Sequence, residues 1–203
     1  MRIGYGWDSH EFRDGIQLKI GGVALPHSKG LAGHSDGDVL LHALTDALLG
    51  AIAAGDIGSY FPPTDEKWKG ADSATFVRQA LKKVADAGYT VVNVDSTLIL
   101  AEPKIGPHAA KIQAAIAGLL GVAASAIGIK AKTPEGMGTD NAAIAHVIVL
   151  LQEQPKGERR AAKAVEEVPQ PEIDRVVNQV LKDVSGSTKS PPTAVPGKNE
   201  STS

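Results

Sequence analysis

Hydrophobic and polar positions follow two periods along the first three quarters of the chain. Apolar residues recur at helical spacing, most clearly where leucines occupy positions 40, 41, 44, 48 and 49, and predict helices at about 38–54, 73–87 and 107–120. The β-branched residues of 89–101 predict a strand, and further strands are predicted at about 2–10, 127–132 and 144–151. The apolar stretches 16–20 and 23–25 flank Gly21-Gly22 and predict a hairpin. Residues 26–37 and 55–72 are predicted to be loops, and Asp36 or Asp38 can cap the first helix.

The composition of the chain changes after residue 151. We therefore predict one domain at 1–154 and a C-terminal extension at 155–203. Within the extension, apolar residues share one face of a predicted amphipathic helix at about 171–184. The remainder is rich in Ser, Thr, Pro, Gly and Lys and is predicted to be disordered.

The amino-acid composition limits the class of protein and the kinds of site that the chain can form. Apolar residues make up 42% and charged residues 22% of the chain, which is typical of a soluble globular protein, and abundant glycine with few aromatic residues suits an α/β chain. Cysteine is absent, so a metal site must use histidine and carboxylate ligands. Residues 1–154 hold 13 basic and 16 acidic residues, and such a domain is a poor nucleic-acid binder. The chain starts without a signal-peptide pattern, and no apolar run approaches the ~20 residues of a membrane span. We therefore expect a cytoplasmic enzyme.

Three residues form a candidate metal site. Alternate residues of a strand point to the same face, so Asp8 and His10 can converge on one ion, and His42 on the first helix is a candidate third ligand. Two histidines and one carboxylate leave an open position on a tetrahedral zinc ion, as in catalytic sites. Asp46, four residues after His42, is predicted to accept the other imidazole N–H of His42. The alternatives are an ordinary Asp-x-His tripeptide without metal and a histidine that belongs to the core.

Four other segments carry candidate chemistry. The polar loop 33–38 either presents donors to an anion or only caps the helix behind it. The loops 55–58 and 61–65 contain Asp56 and Asp65, which suit hydroxyl or cation contacts or ordinary turns. Segment 130–136 follows a strand, and its lysine, threonine and glutamate either bind phosphate and a divalent ion or form only a strand end and a turn.

Together these motifs resemble the 2-C-methyl-D-erythritol 2,4-cyclodiphosphate synthase family over residues 2–151. The most specific stretch is residues 34–51, which read HSDGDVLLHALTDALLGA. It is followed in the family's order by Gly-Asp-Ile-Gly at 55–58, Phe61-Pro62, Lys-Gly-Ala-Asp-Ser at 69–73, Asn-Val-Asp at 93–95 and Glu-Pro-Lys at 102–104. Trp7 and Ser9 depart from the family's usual first motif, while both predicted ligands are present.

The resemblance implies an α+β fold, with a mixed sheet packed on helices, that forms a homotrimer with active sites between neighbouring subunits. It implies Zn²⁺, or another divalent ion, held by Asp8, His10 and His42, and Mg²⁺ or Mn²⁺ held by Glu135 with the substrate diphosphate. It also implies a substrate site, with His34 and Thr133 as candidates for transition-state hydrogen bonds. The residues implied to contact substrate are Asp8, His10, His34, Ser35, Asp56, Ile57, Gly58, Phe61, Asp65, Leu100, Ala101, Glu102, Pro103, Lys104, Ile105, Gly106, Lys132, Thr133, Pro134 and Glu135.

The reaction that the resemblance implies is an intramolecular phosphoryl transfer. The 2-phosphate of 4-diphosphocytidyl-2-C-methyl-D-erythritol 2-phosphate attacks the β-phosphorus, CMP leaves, and a cyclic diphosphate of the isoprenoid precursor pathway forms. Two rival functions fit the same residues: a zinc-dependent phosphohydrolase, which needs access for an attacking water, and a trimeric binding module without activity. The binding module would be favoured if one of the three predicted metal ligands were missing, and all three are present.

Overall fold

The structure, a computed structural model, describes residues 1–154. The predicted helix at about 171–184 and the predicted disorder after it lie outside the described residues. No helix among residues 1–154 is long and apolar enough to cross a membrane.

A five-stranded mixed sheet forms one layer of the domain. Its strands are β1 Arg2–Asp14, β4 Lys29–Leu31, β5 Tyr89–Ile99, β6 Ile127–Lys132 and β7 Ala142–Glu153. They lie in the order β4-β1-β7-β5-β6, in which β5 and β6 are parallel and the other neighbours are antiparallel. The predicted hairpin is confirmed as β2 Lys19–Ile20 and β3 Val23–Ala24, joined by two glycines with φ of 62° and 78°.

Helices form the second layer. They are α1 Val39–Ala51, α2 Ile57–Tyr60, α3 Ser73–Asp86 and α4 Ala109–Leu120, with 3₁₀ turns at Glu66–Trp68, Gly106–His108 and Ala124–Ala126. The predicted loops at 26–37 and 55–72 were wrong in part, because they contain β4 and α2. Three or four residues are too few to show a hydrophobic period, so the sequence pattern could not reveal these elements.

Helix α1 is the centre of the core. It buries 11 of its 13 residues, most of them apolar, as expected of a helix that is covered on nearly every side. Its carboxylate cap is Asp38, which is fully buried and accepts from the backbone N–H groups of Leu41, Gly21 and Gly22. Burial raises the pKa of Asp38 although those hydrogen bonds act in the opposite direction. The cap therefore ties the start of α1 to the β2–β3 hairpin.

Strand β1 lies directly against α1. A Cβ on Gly4 would come within 1.8 Å of the Ala47 carbonyl oxygen, and one on Gly6 within 1.9 Å of the Ala43 carbonyl oxygen. Because side chains alternate along a strand, the even-numbered positions of β1 face the helix and the odd-numbered ones face away. This register places Asp8 and His10 on the helical side.

Among residues 1–154, the other face of the sheet carries exposed apolar side chains. The side chains of Ile3, Tyr5, Trp7 and Ile148 are 47–71% exposed, and they lie on the adjacent strands β1 and β7. The hydroxyl of Tyr5 lies 2.9 Å from His146 Nδ1 on the same face. A contiguous apolar surface of this kind is typical of a protein–protein contact.

Candidate active site

Three side chains predicted as metal ligands meet where β1 passes under α1. His10 Nε2 lies 2.9 Å from Asp8 Oδ2, His42 Nδ1 lies 3.0 Å from the same oxygen, and the two nitrogens are 3.0 Å apart. Strand alternation directs Asp8 and His10 to the helical side, and the first turn of α1 brings His42 down onto them. The sequence prediction that these three converge is confirmed.

This triangle fits a divalent metal ion. Atoms bound at the usual ~2.0–2.1 Å to a tetrahedral zinc ion lie about 3.3 Å from one another, which is close to the observed separations. The side chains of Asp8, His10 and His42 are 27%, 16% and 11% exposed, so the cluster is shielded on most sides and open on one. The donor set and its spacing therefore suit an ion with a free coordination position.

Electrostatics in the cluster favour an ionised carboxylate. Burial alone would raise the pKa of Asp8, but hydrogen bonds and attraction from His10 and His42 outweigh burial and lower that pKa well below its ordinary range. Burial would lower the pKa of His10, whereas Asp8 and a backbone hydrogen bond at Ala32 raise it above the ordinary value. The Asp8 carboxylate therefore stays negatively charged between two imidazoles, and this arrangement attracts a cation.

The second nitrogen of His42 contacts two serines. Its Nε2 lies 2.9 Å from the hydroxyl of Ser35 and 2.9 Å from the hydroxyl of Ser73. The Ser73 hydroxyl also donates to the carboxylate of Asp36, whose other oxygen lies 3.1 Å from Lys19 Nζ. Burial would lower the pKa of Lys19, but the Asp36 carboxylate raises it above its ordinary value.

The predicted contact between Asp46 and His42 was wrong. Asp46 instead accepts from the backbone N–H of Ile57 at 2.7 Å, because Ile57 is the first residue of α2 and its N–H has no partner within that helix. Burial raises the pKa of Asp46 although this hydrogen bond lowers it. Asp46 therefore ties the loop that contains Asp56, Ile57 and Gly58 to α1. The residue that contacts the second nitrogen of His42 in its place is Ser73, which the sequence pattern does not single out as a site residue.

Two long loops are joined at the edge of the metal triangle. Gly70 donates its backbone N–H to the His34 carbonyl at 2.8 Å, and Asp36 donates to Ala71 at 3.1 Å. His34 is half-buried, and its Nε2 lies 3.4 Å from the carbonyl of Asp65. His34, Ser35 and Asp65, all predicted to contact substrate, therefore lie in two loops that are joined to each other, and Ser35 also contacts His42.

Phe61 belongs to an aromatic cluster behind His42. It is buried and packs against Trp68 and Phe76 with ring centroids 5.0 and 4.4 Å away, and Phe76 lies 6.0 Å from the His42 ring. Its side chain therefore supports the wall behind His42.

Asp56 is exposed and caps α2 by accepting from Ser59 at 2.8 Å, and this bonding lowers the pKa of Asp56.

A separate cavity lies at the ends of β5 and β6. Its volume is about 280 Å³, close to the lower end for small-ligand sites. The lining combines apolar walls with two lysines, a threonine and a glutamate: Leu100, Pro103, Lys104, Ile105, Gly106, Ala131, Lys132, Thr133 and Glu135. Eight of these nine were predicted, whereas the predicted Ala101, Glu102 and Pro134 are not in the lining. Glu135 has a φ of 49°, an unusual backbone for a residue other than glycine, and accepts from the Thr133 hydroxyl.

The cavity and the triangle are on different strands of the sheet. Asp8 pairs with Ala145, Ala145 pairs with Leu98, and Leu98 pairs with Ala131, so three strand spacings separate them. At about 4.8 Å per spacing, the separation within one chain is roughly 14 Å.

The fold and these two features define an α+β protein with a triangle of two histidines and one carboxylate that could hold a metal ion, and with a cavity of ligand size. The model of the YgbB family matches residues 1–152. The chain belongs to this family, that of the 2-C-methyl-D-erythritol 2,4-cyclodiphosphate synthases, which confirms the resemblance seen in the sequence.

Individual relatives agree with this assignment. The chain is 61% identical over 154 residues to the synthase of Koribacter versatilis, covering 76% of this chain and 99% of the relative. It is 52% identical over 138 residues to that of Marinobacter nauticus, covering 68% and 87%. A solved structure of such a synthase in a CDP-bound form superposes with a TM-score of 0.71 at 40% identity, covering 74% of this chain and all of the other.

Proposed function

We propose that this chain converts 4-diphosphocytidyl-2-C-methyl-D-erythritol 2-phosphate into 2-C-methyl-D-erythritol 2,4-cyclodiphosphate and CMP. In chemical class it is a phosphorus–oxygen lyase of the isoprenoid precursor pathway. The observation that carries the proposal is the intact triangle of Asp8, His10 and His42, with edges of 2.9–3.0 Å, in a member of the synthase family.

The triangle would hold Zn²⁺ or another divalent ion, and Glu135 would hold Mg²⁺ or Mn²⁺ together with the substrate diphosphate. Such ions supply Lewis-acid polarisation of a phosphoryl oxygen and neutralise charge. Asp8 brings a negative charge and the two histidines bring neutral donors, which suits a catalytic rather than a structural zinc site. Glu135 is exposed beside the cavity, so its carboxylate can reach a ligand there.

The reaction requires an oxygen of the 2-phosphate to attack the β-phosphorus. The new P–O bond closes the ring, the bond from the β-phosphorus to the CMP oxygen breaks, and CMP leaves with that electron pair. Two anionic groups must approach each other, and Coulomb repulsion opposes this approach. The protein's own contribution is therefore to hold attacker and leaving group in line and to surround them with donors.

The chain offers such donors at both ends of the substrate. Ser35 contacts His42, and His34 precedes it in the same loop, where an attacking or transferred phosphate would bind. Lys104, Lys132 and Thr133 line the cavity, where the cytidine diphosphate would bind between apolar walls. Asp56, Ile57, Gly58 and Asp65 lie in the two loops attached to α1 and to His34, where they would contact the methylerythritol hydroxyls.

We propose further that the enzyme is a homotrimer with active sites between subunits. The exposed apolar face of β1 and β7 supports an assembly, and the number three comes from the family resemblance. Within one chain the triangle and the cavity are roughly 14 Å apart across the sheet. A neighbouring copy can bring its cavity to the triangle, so that each site is completed by two chains.

Mixing two inactive variants tests the shared site. We expect His42→Ala and Thr133→Val each to lose turnover and to assemble as trimers by light scattering. Co-expressed in equal amounts, they should recover up to about a quarter of the activity, since one site in four in a cyclic assembly joins an intact triangle to an intact cavity. No recovery in mixed trimers would mean that each site lies within one chain.

Phosphorus NMR tests the reaction itself. With the cytidine substrate, Zn²⁺ and Mg²⁺, we expect two mutually coupled ring phosphorus signals together with CMP. CMP with an open-chain bisphosphate would indicate a phosphohydrolase that admits water. Absence of turnover in zinc-loaded protein would leave a binding module and contradict the proposed activity.

A further inference from the structure

A chain of polar side chains, buried at its inner end and partly exposed at Lys19, leads away from the candidate metal triangle behind His42. It runs from His42 Nε2 to the Ser73 hydroxyl at 2.9 Å, on to the carboxylate of Asp36, and then to Lys19 Nζ at 3.1 Å. Ser73 is fully buried, so its hydroxyl must be satisfied inside the protein. The proposed reaction does not use Ser73, Asp36 or Lys19.

Ser73 is not needed for the helix that it begins. The cap of α3 is Asp72, whose carboxylate accepts from the Ala74 N–H at 3.1 Å. A small apolar residue could occupy the first position of α3 without leaving the helix uncapped. The buried hydroxyl of Ser73 therefore serves the contact with His42 and Asp36.

The direction of the hydrogen bonds in this chain is determined by its outer end. An ionised carboxylate only accepts, and Asp36 is paired with Lys19, so the single hydroxyl hydrogen of Ser73 goes to Asp36. The Ser73 oxygen can then only accept from His42, which requires the hydrogen on Nε2. The lone pair of Nδ1 is left facing Asp8 Oδ2 and His10 Nε2, each at 3.0 Å.

We infer that Ser73, oriented by Asp36 and Lys19, is a positioning residue that holds His42 in the tautomer whose Nδ1 is free to bind a metal ion. The inference rests on the ligand role proposed for His42. Without the chain, His42 would gain from placing its hydrogen on Nδ1, where the Asp8 carboxylate can accept it. That tautomer has no lone pair to offer the triangle.

Ser35 does not perform this task. Its hydroxyl also lies 2.9 Å from His42 Nε2, but its other partner is the Ser73 hydroxyl at 3.4 Å, and no carboxylate within residues 1–154 accepts its hydrogen. The Ser35 hydroxyl can therefore donate or accept, and it is free to turn toward substrate. Of these two serines, Ser73 is the one whose hydroxyl hydrogen has a fixed direction, toward Asp36.

Ring-nitrogen NMR on metal-free protein with labelled histidines measures the tautomer directly. In the wild type we expect the His42 hydrogen on Nε2. In Ser73→Ala, and in Asp36→Asn, whose amide can donate to Ser73, we expect it to move in part or wholly to Nδ1. Zinc affinity, measured by competition with a chromophoric chelator, should fall by about 10–100-fold in both variants, as for other residues that orient metal-binding histidines.

Ser96→Ala is the matched control. Ser96 is equally buried, and its hydroxyl donates to the Gly128 carbonyl at 2.7 Å, away from His42. We expect its His42 tautomer and zinc affinity to equal those of the wild type. If Ser73→Ala does not fold, Asp36→Asn decides the question.

Two results would overturn the inference: a wild-type His42 with its hydrogen on Nδ1, or variants whose tautomer and zinc affinity match the Ser96→Ala control. The measurement also separates this inference from the proposed reaction. Wild-type protein with the expected tautomer and zinc affinity that forms no cyclic product would contradict the reaction and leave the role of Ser73 intact.

Discussion

Replacing His42 by alanine is expected to abolish both zinc binding and turnover. The change leaves Asp8 Oδ2 and His10 Nε2 2.9 Å apart as the only two members of the triangle. Two donors are too few for the usual three protein ligands of a catalytic zinc site. We expect zinc affinity to fall by more than about 100-fold, beyond the range found for residues that only orient a ligand. Zinc content after dialysis and the rate of CMP release measure the two effects.

The assembly should survive this substitution. His42 lies on the helical side of the sheet, whereas the exposed apolar face of β1 and β7 is on the opposite side. Removing the imidazole leaves a small cavity beside Phe76, so we expect a lower melting temperature. Because the apolar face is untouched, we expect the molecular mass measured by light scattering to be unchanged.

Thr133→Val separates metal binding from substrate binding. Valine replaces the hydroxyl by a methyl group of similar size in the cavity, about three strands away from the triangle. We expect this variant to retain stoichiometric zinc and to lose turnover. Stoichiometric zinc in His42→Ala would contradict the ligand assignment, and loss of zinc from Thr133→Val would mean that the cavity and the triangle are not independent.

The metal triangle could be predicted because local rules of backbone geometry determine it. Alternation along β1 directs Asp8 and His10 to one face, and the leucine period of α1 identifies the helix that carries His42. The phosphate-binding residue types of segment 130–136 could be recognised in the sequence, but the rest of the cavity lining could be predicted only through the resemblance, because segments 100–106 and 131–135 are far apart along the chain. The burial of Phe61 depends on packing against Trp68 and Phe76, which the sequence pattern did not reveal.

The surroundings of His42 could not be read from spacing alone. Asp46 is four residues away on the same helix, which suggested a contact, but its carboxylate is occupied by the Ile57 N–H. Ser73 reaches His42 only because the loops 33–38 and 65–73 are joined by backbone hydrogen bonds. Such contacts between distant loops leave no period in a single sequence.

The approach of β1 to α1 leads to a second prediction with a large effect. Gly6→Ala is expected to prevent stable folding, because its Cβ would lie 1.9 Å from the Ala43 carbonyl oxygen and 2.7 Å from the Ala47 backbone nitrogen. Both are backbone atoms in the middle of a buried helix, so no side chain can turn aside. We expect a destabilisation of about 3 kcal/mol or more, at the upper end for overpacked cores, measured by thermal or urea unfolding.

Gly118→Ala is the matched control for this change. Gly118 lies in α4 with no atom within 4 Å of an added Cβ, so alanine should be neutral or stabilise by about 0.5–1 kcal/mol. If Gly6→Ala unfolded like the wild type, α1 could not lie as close to β1 as the structure places it. The same displacement would also separate His42, on α1, from Asp8 and His10, on β1. Any folded Gly6→Ala protein should therefore bind zinc more weakly than Gly118→Ala, because the contact that packs the core also sets the edges of the metal triangle.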